Sequence, residues 1–219
     1  MNIVMALPSH LLEAVTRRIQ SFPPLVCNIT LTETFSAETF ATLQSGDGVL
    51  ILQPADFRIA KNTAETAKQA RIHYGEVGLI ESPQAVQQGF MAWVGGKAAD
   101  LSVLAAALNA LAPYPYGWWH VGEAGSAAFL LALLKQLGHA MQHPIDVSCL
   151  LPQLAQLSNT QQQCALFATE YLQATDGEHF EAIFPERQNA LASFLDCAES
   201  PARQIAKMIQ MFNPSRVGP

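Results

Sequence analysis

The chain has 219 residues, half of them hydrophobic, and a net charge of −6. This length and composition suit one large or two smaller globular domains with a well-buried core. Charged residues make up only 14 % of the chain, against about 25 % in typical soluble domains, which indicates a surface that is largely neutral or covered by a partner. The negative charge is spread along the sequence without a basic run, so nucleic acid is excluded as the expected ligand.

No segment predicts a membrane anchor or a secretory signal. The longest strictly apolar run, Ala127 to Leu134, is far shorter than the roughly 20 residues that span a bilayer. The N-terminus, MNIVMALPSH, lacks a cationic start and a cleavable small-residue site, which predicts a cytoplasmic protein. The four cysteines lie far apart without a CxxC pair, as expected for buried thiols rather than for a zinc site or a disulfide framework.

Strand-like runs alternate with helical patterns through the first part of the chain, and this alternation predicts a mostly parallel sheet with helices on its faces. The predicted strands are residues 3–7, 25–31, 48–53, 77–81, 90–96 and 118–122. The predicted helices between them are LLEAVTRRIQ, SAETFATLQ, AETAKQARIHYG and AADLSVLAAALNALAP.

From Ser126 onward the strand signal is absent and the sequence predicts helices only. The expected helix breaks lie near residues 143–146, near 174–177, at Pro185 and near 199–202. We therefore predict an α/β domain over residues 1–122 and an all-helical domain over residues 123–219.

The segment from Val77 to about Leu137 resembles the β-hydroxyacid dehydrogenase and 6-phosphogluconate dehydrogenase superfamily. In that family an acidic-small-proline turn, a strand ending in VGG, a helix, a strand ending in HVG and a glycine-led helix follow one another. This sequence has LIESP, FMAWVGG, ADLSVLAAALNALAP and WWHVGEAGSAA in the same order. The resemblance implies a Rossmann-like sheet domain, a helical domain that pairs two subunits into a homodimer, and NAD or NADP as the cofactor.

The family's glycine-rich dinucleotide turn has no clear counterpart. If the first strand is aligned, its glycines fall on Ala6, Pro8 and Leu11, and Pro8 has no backbone amide to offer a phosphate. If IVMALPSH corresponds instead to the family's fourth strand, the cofactor-binding front half is missing or rebuilt. On either alignment the candidate cofactor-binding residues are Pro8, Ser9 and His10.

The catalytic signatures of the family are also changed. The SGG of its substrate loop is replaced by QAV at residues 84–86. Its catalytic lysine falls on Leu131, and Lys135, one turn later, stands where the family has an asparagine. Because one helical turn keeps both positions on the same face, Lys135 is the candidate catalytic residue. The alternative, a solvated lysine near the helix C-terminus that favours the helix dipole, is the simpler interpretation.

Three residues at strand ends are candidates for binding a substrate: Glu81, Ser82 and His120. His120 is also the ordinary residue of the family's HVG strand, so a structural role fits it as well. His139 and His143 have the i, i+4 spacing of two metal ligands, but no HExxH motif accompanies them, and we predict no metal site.

The leading hypothesis is a degenerate dehydrogenase-like protein, a pseudoenzyme that binds a small molecule or acts as an interaction scaffold. The alternative is an active NAD(P)-dependent oxidoreductase, of the hydroxyacid dehydrogenase or imine reductase kind, with a rebuilt cofactor site. The alternative requires basic residues such as Arg17, Arg18 or Lys61 to be available for the phosphates.

Overall fold

The computed structural model describes residues 1–22, 27–141, 150–183 and 199–211. Its six strands are β1 (Asn2–Ala6), β2 (Asn28–Thr32), β3 (Gly48–Leu52), β4 (His73–Ile80), β5 (Met91–Gly95) and β6 (Trp119–Gly122). They form one sheet in the order β2-β1-β3-β4-β5-β6. All neighbouring pairs are parallel except β4 with β5, which confirms the prediction of a mostly parallel sheet.

Eight helices are present in the described part of the chain: α1 (Ser9–Gln20), α2 (Ala37–Ala41), α3 (Phe57–Gln69), α4 (Ala85–Gln88), α5 (Ala98–Leu111), α6 (Ser126–Met141), α7 (Leu150–Ala174) and α8 (Pro201–Met211). Every described element after β6 is a helix, so the predicted fold class, an α/β sheet part followed by a helical part, is confirmed. The expected break near 174–177 coincides with the end of α7, whereas residues 143–146 and Pro185 lie outside the described ranges. None of the described helices is both long and apolar enough to cross a bilayer.

The prediction of a helix over AETAKQARIHYG was wrong at both ends. The helix starts earlier, at Phe57, because the Asp56 carboxylate caps it by accepting the amide of Arg58. It stops before Arg71, which has a left-handed backbone with φ 56°. His73 already pairs with β3, so tertiary strand pairing overrides the local helical pattern.

One face of the sheet packs against α1 and α5. Helix α5 approaches closely because β3 and β4 carry glycines there: a Cβ on Gly48 would lie 2.4 Å from Leu104 Cδ2, and one on Gly75 would lie 3.0 Å from Leu101 Cδ2. The core on this face is large and fully apolar, including Ile3, Met5, Leu11, Val15, Leu50, Val77, Leu79, Leu101, Leu104 and Leu108.

Helix α6 packs on the opposite face, over β4 and β5. Two further glycines permit this contact, since a Cβ on Gly95 would lie 3.1 Å from the amide nitrogen of Ala127 and one on Gly78 would lie 3.8 Å from Leu131 Cβ. From Ala127 to Leu131 the helix therefore runs along β4 toward its carboxyl end. This places the glycine-led helix of the sequence directly on the sheet.

Candidate functional site

The strand order reverses at β1. From β1 the chain adds β2 on one side, and then β3 on the other side of β1. In open α/β sheets, ligands bind outside the carboxyl ends of the strands at such a switch point. The residues that follow β1, β3 and β4 at this edge are Pro8 to His10, Gln53, and Glu81 with Ser82. Two groups of residues predicted as site residues, Pro8 to His10 and Glu81 with Ser82, thus follow strands at one edge of the sheet.

Three side chains at this edge form a connected group, which we name the edge cluster: His10, Gln53 and Glu81. His10 Nε2 lies 3.2 Å from Glu81 Oε1, and Gln53 Nε2 donates to the same oxygen over 3.3 Å. His10 comes from the first turn of α1, and the other two residues follow the carboxyl ends of β3 and β4. The structure therefore joins one predicted cofactor residue to one predicted substrate residue.

Gln53 is the member of the edge cluster that the sequence analysis missed. Its backbone is left-handed, with φ 55°, a conformation that costs a non-glycine residue about 1 kcal/mol or more. Three bonds to β4 hold it there: its amide donates to the Val77 carbonyl, and its side chain exchanges bonds of 2.9 and 3.2 Å with the backbone of Leu79. The only sequence signal was a lone polar residue at the end of the strand GVLILQ.

The edge cluster is open to solvent. The side chains of His10 and Glu81 are 60 % and 52 % exposed, and a polar contact this exposed contributes at most about 1 kcal/mol to stability. The fold therefore does not depend on this contact. The Glu81 carboxylate oxygen is held by the Gln53 amide donor and is accessible to solvent.

An apolar surface lies on the neighbouring strands at the same edge. Ile80 is opposite Met91 in the β4–β5 register, and Trp119 is opposite Trp93 in the β5–β6 register. Met91 is 63 % exposed and Trp119 is 53 % exposed. Exposed large apolar side chains that adjoin a polar cluster are typical of ligand or partner surfaces.

The two candidate positions on α6 have different surroundings. Leu131 is buried against Gly78 in the middle of β4. Lys135 is exposed, and four residues of helical rise place it about 6 Å further along the helix axis, toward the level of Ile80. Lys135 therefore lies nearer the level of the edge that carries Glu81, whereas Leu131, the position aligned with a catalytic lysine in the sequence analysis, is closed by packing.

His120 is not part of this edge. It lies inside the sheet opposite Val94, and its Nε2 is 2.8 Å from the Gly96 carbonyl oxygen and 3.1 Å from that of Gly122. Its ring also contacts Phe180, with 4.9 Å between the centroids. Burial lowers the pKa of His120, which keeps the imidazole neutral and suits a residue that ties the end of β6 to the loop after β5.

The three basic residues that a phosphate site was expected to use are engaged elsewhere. Arg17 pairs with Glu13 along α1, and Lys61 pairs with Glu178 at a distance of 2.5 Å. Arg18 is buried and donates to three backbone carbonyls, those of Gln87, Ala110 and Ala112. Each cation therefore already has a partner within the fold.

A cleft of about 690 Å³ lies at the opposite edge of the sheet, where β4 begins and β5 and β6 end. Its lining has mixed charge, including Lys97 and a pair between His73 Nδ1 and Asp100 Oδ1 at 2.8 Å. Burial, and then the neighbouring Glu178, raises the pKa of Glu123 in this lining to about 7. The cleft is separate from the edge cluster.

The described residues contain no group of three or more His, Cys, Asp or Glu side chains placed to hold a metal ion. His143 and the side chain of His139 lie outside the described part of the chain. The absence of a metal site therefore stays a prediction for that pair.

The fold is shared with solved oxidoreductase structures. A protein assigned as an oxidoreductase from Mycobacterium avium 104 superposes with a TM-score of 0.52 at 11 % identity, over 88 % of this chain and 75 % of that chain. A 3-hydroxyisobutyrate dehydrogenase from Salmonella typhimurium gives 0.48 at 10 % identity, over 97 % and 79 % of the two chains. An imine reductase variant from Myxococcus stipitatus, in complex with NAD+, gives 0.46 at 18 % identity, over 88 % and 74 %.

At these identities the first of the three likenesses shows a common fold and nothing finer. This common fold agrees with the architecture that LIESP, FMAWVGG and WWHVG led us to expect. No protein-family model and no curated protein matches the sequence.

Proposed function

We propose that this protein is a pseudoenzyme with the fold of NAD(P)-dependent oxidoreductases, and that it binds a small molecule at the edge cluster without performing hydride transfer. The observation that carries the proposal is the composition of the switch-point edge. His10, Gln53 and Glu81 stand there, where the fold would receive a dinucleotide on a glycine-rich turn.

The same edge is poorly suited to a pyrophosphate. Pro8 is the N-cap residue of α1, and it offers neither a side-chain cap nor an amide of its own. Leu11, at the third glycine position of one alignment, is 3 % exposed and fills the space in which a glycine would permit close helix packing. Glu81 adds a negative charge, which opposes the binding of a second anion.

The chemistry of the edge favours a neutral or cationic ligand with an N–H or O–H donor. Glu81 supplies a carboxylate oxygen as acceptor, and Gln53 restricts its orientation. Met91 and Trp119 supply apolar and aromatic surface for the rest of the ligand. Lys135, an exposed residue of α6, has no role in proton transfer in this proposal.

We also propose that two copies pair through the helical part, which we place at residues 123–219 and divide from the sheet part at 1–122. The support is a set of exposed leucines on α6 and α7: Leu134, Leu137, Leu157 and Leu166. Side chains of this kind are stabilised when a second apolar surface covers them. We also propose a cytoplasmic location for the protein.

The ligand site can be tested by screening small neutral and cationic compounds against the intact protein by saturation-transfer NMR. We expect compounds that bind to lose roughly tenfold or more in affinity in Glu81→Gln, since a charge-assisted hydrogen bond contributes about 1.5–3 kcal/mol. Gln53→Ala should weaken the same compounds by a smaller factor, because the carboxylate loses its orienting donor.

Glu65→Gln is the matched control, because Glu65 is an exposed glutamate on α3 that lines the cleft at the opposite edge. It should leave every affinity unchanged. Compounds that bind Glu81→Gln as tightly as the natural sequence, or that respond to Glu65→Gln instead, would remove the edge cluster from the proposal.

A further inference from the structure

A fully buried glutamate connects the sheet to the start of α6. Glu76, in the middle of β4, is 0 % exposed. Its Oε1 accepts the amide of Ala127 over 2.7 Å and that of Ala128 over 3.3 Å. The first amides of a helix have no partner within the helix, so a side chain 51 residues earlier caps α6. Gly95 makes room for it, because a Cβ there would lie 2.5 Å from Oε1.

The second oxygen of this carboxyl group has no hydrogen-bond partner within the described part of the chain. The same is true of the hydroxyl of Tyr74, which is two residues earlier on β4 and therefore on the same face. An ionised carboxylate with one bare oxygen in a dry interior is strongly disfavoured. A neutral carboxylic acid has one O–H donor and one C=O acceptor, which suits two amides on one side and a hydroxyl oxygen on the other.

Among the residues that the structure describes, no cation compensates the charge of an ionised Glu76. The titratable groups that face it are Tyr74 on its own strand and Tyr171 of α7, which is bonded to Ser126 at the start of α6 over 2.8 Å. From β5 the facing residue is Gly95, which has no side chain. Burial raises the pKa of Glu76 to about 7, and the amides of Ala127, Ala128 and Gly125, together with the Tyr74 hydroxyl, offset only part of that effect.

We propose that the Glu76 carboxyl is a proton-linked latch: the neutral form fits the closed, dry interior, and ionisation favours an opened first turn of α6 in which water reaches the carboxylate, because the cost of burying the charge exceeds the gain in the amide hydrogen bonds. The direction of the pH effect follows from the raised pKa of Glu76. A carboxyl group that is harder to ionise in the folded protein stabilises the fold most below its unfolded pKa, and this stabilisation is lost as pH rises through the folded value. Because α6 leads from the sheet into the helical part, the attachment of that part becomes sensitive to pH near neutrality.

The latch can be tested by amide hydrogen exchange of the whole chain at several pH values between about 6 and 8.5, corrected for the intrinsic dependence of exchange on pH. We expect the protection of the Ala127 and Ala128 amides to fall roughly tenfold or more over this range. In Glu76→Gln, whose amide keeps one acceptor and one donor but cannot ionise, the protection should not change with pH. Glu123→Gln, which alters the other carboxyl group with a raised pKa, should behave as the natural sequence does.

An infrared measurement keeps the test decisive even if Glu76→Gln does not fold. The natural protein should show the carbonyl band of a buried neutral carboxylic acid at about pH 6, and that band should be lost by about pH 8.5. Protection of α6 that is independent of pH in the natural protein would overturn the proposal. The absence of a neutral carboxyl band at the lower pH would overturn it as well.

Discussion

Leu131, which the sequence analysis aligned with the catalytic lysine of the resembled family, serves packing in this protein. It lies on the side of α6 that faces the sheet, is 7 % exposed, and rests against Gly78. A lysine in that place would have its ammonium among apolar side chains with no partner, which is costly. The adjacent exposed cation, Lys135, stands one turn beyond the buried contact, so the chain cannot use it in the same place.

We therefore expect Leu131→Lys to lower the free energy of unfolding by about 3 kcal/mol, because a charged group is forced into a packed interface. Leu131→Met, which keeps the apolar volume, should cost less than about 1.5 kcal/mol. Urea unfolding of both variants provides the comparison. Equal stability of the two variants would mean that the position opens into a cavity able to hold a lysine.

Two consecutive arginines on α1 contribute differently to the contacts between secondary-structure elements. Arg17 is exposed and pairs with Glu13, while Arg18 is 8 % exposed and donates to carbonyls near the ends of α4 and α5. The last carbonyls of a helix have no partner within it, so Arg18 joins α1 to the ends of both helices. It is consequently unavailable to a phosphate.

Arg18→Met should lower the free energy of unfolding by about 3 kcal/mol, since buried carbonyls lose charged donors. Arg17→Met is the matched control one residue away, and it should cost less than about 0.5 kcal/mol because its ion pair is exposed to solvent. Thermal and urea unfolding would show the difference. A small loss in Arg18→Met would indicate that water replaces the guanidinium and that α1 does not depend on it.

The sequence predicted the elements better than it predicted their contacts. Apolar strand runs and the glycine-led start of α6 are local signals, and the structure confirms the sheet and the helical part that they indicated. The bonds from Glu81 to His10 and Gln53 span 71 and 28 residues, and they depend on the strand order. Glu76 was not among the candidate residues, because nothing near it in sequence shows that α6 will start above it. A site that is assembled by long-range contacts can be recognised only when the strand order is known.

Considering the molecule as a whole, the described residues of the helical part expose apolar side chains to solvent. Leu134 and Leu137 project from α6, and Leu166 is 58 % exposed on α7. Only 14 % of the sequence is charged, which adds to the expectation of a covered surface. Pairing with a second copy would cover these side chains.

We expect light scattering after size-exclusion chromatography to give twice the mass of one chain at micromolar concentration. The double variant Leu134→Glu with Leu137→Glu should shift the protein to the mass of a single chain, because four charges would enter the paired surface of the two copies. Ile59→Glu, an exposed apolar position on α3, should remain paired. A natural protein with the mass of one chain would contradict the dimer.

Calorimetric titration of the intact protein with NADPH and with NADH would show whether the switch-point edge binds a ligand other than a dinucleotide. We expect no saturable heat for either compound up to about 1 mM, a concentration that corresponds to only about 4 kcal/mol of binding free energy. Saturable binding of either cofactor in the micromolar range, abolished by changes at Ser9 or His10, would contradict it and favour an active reductase.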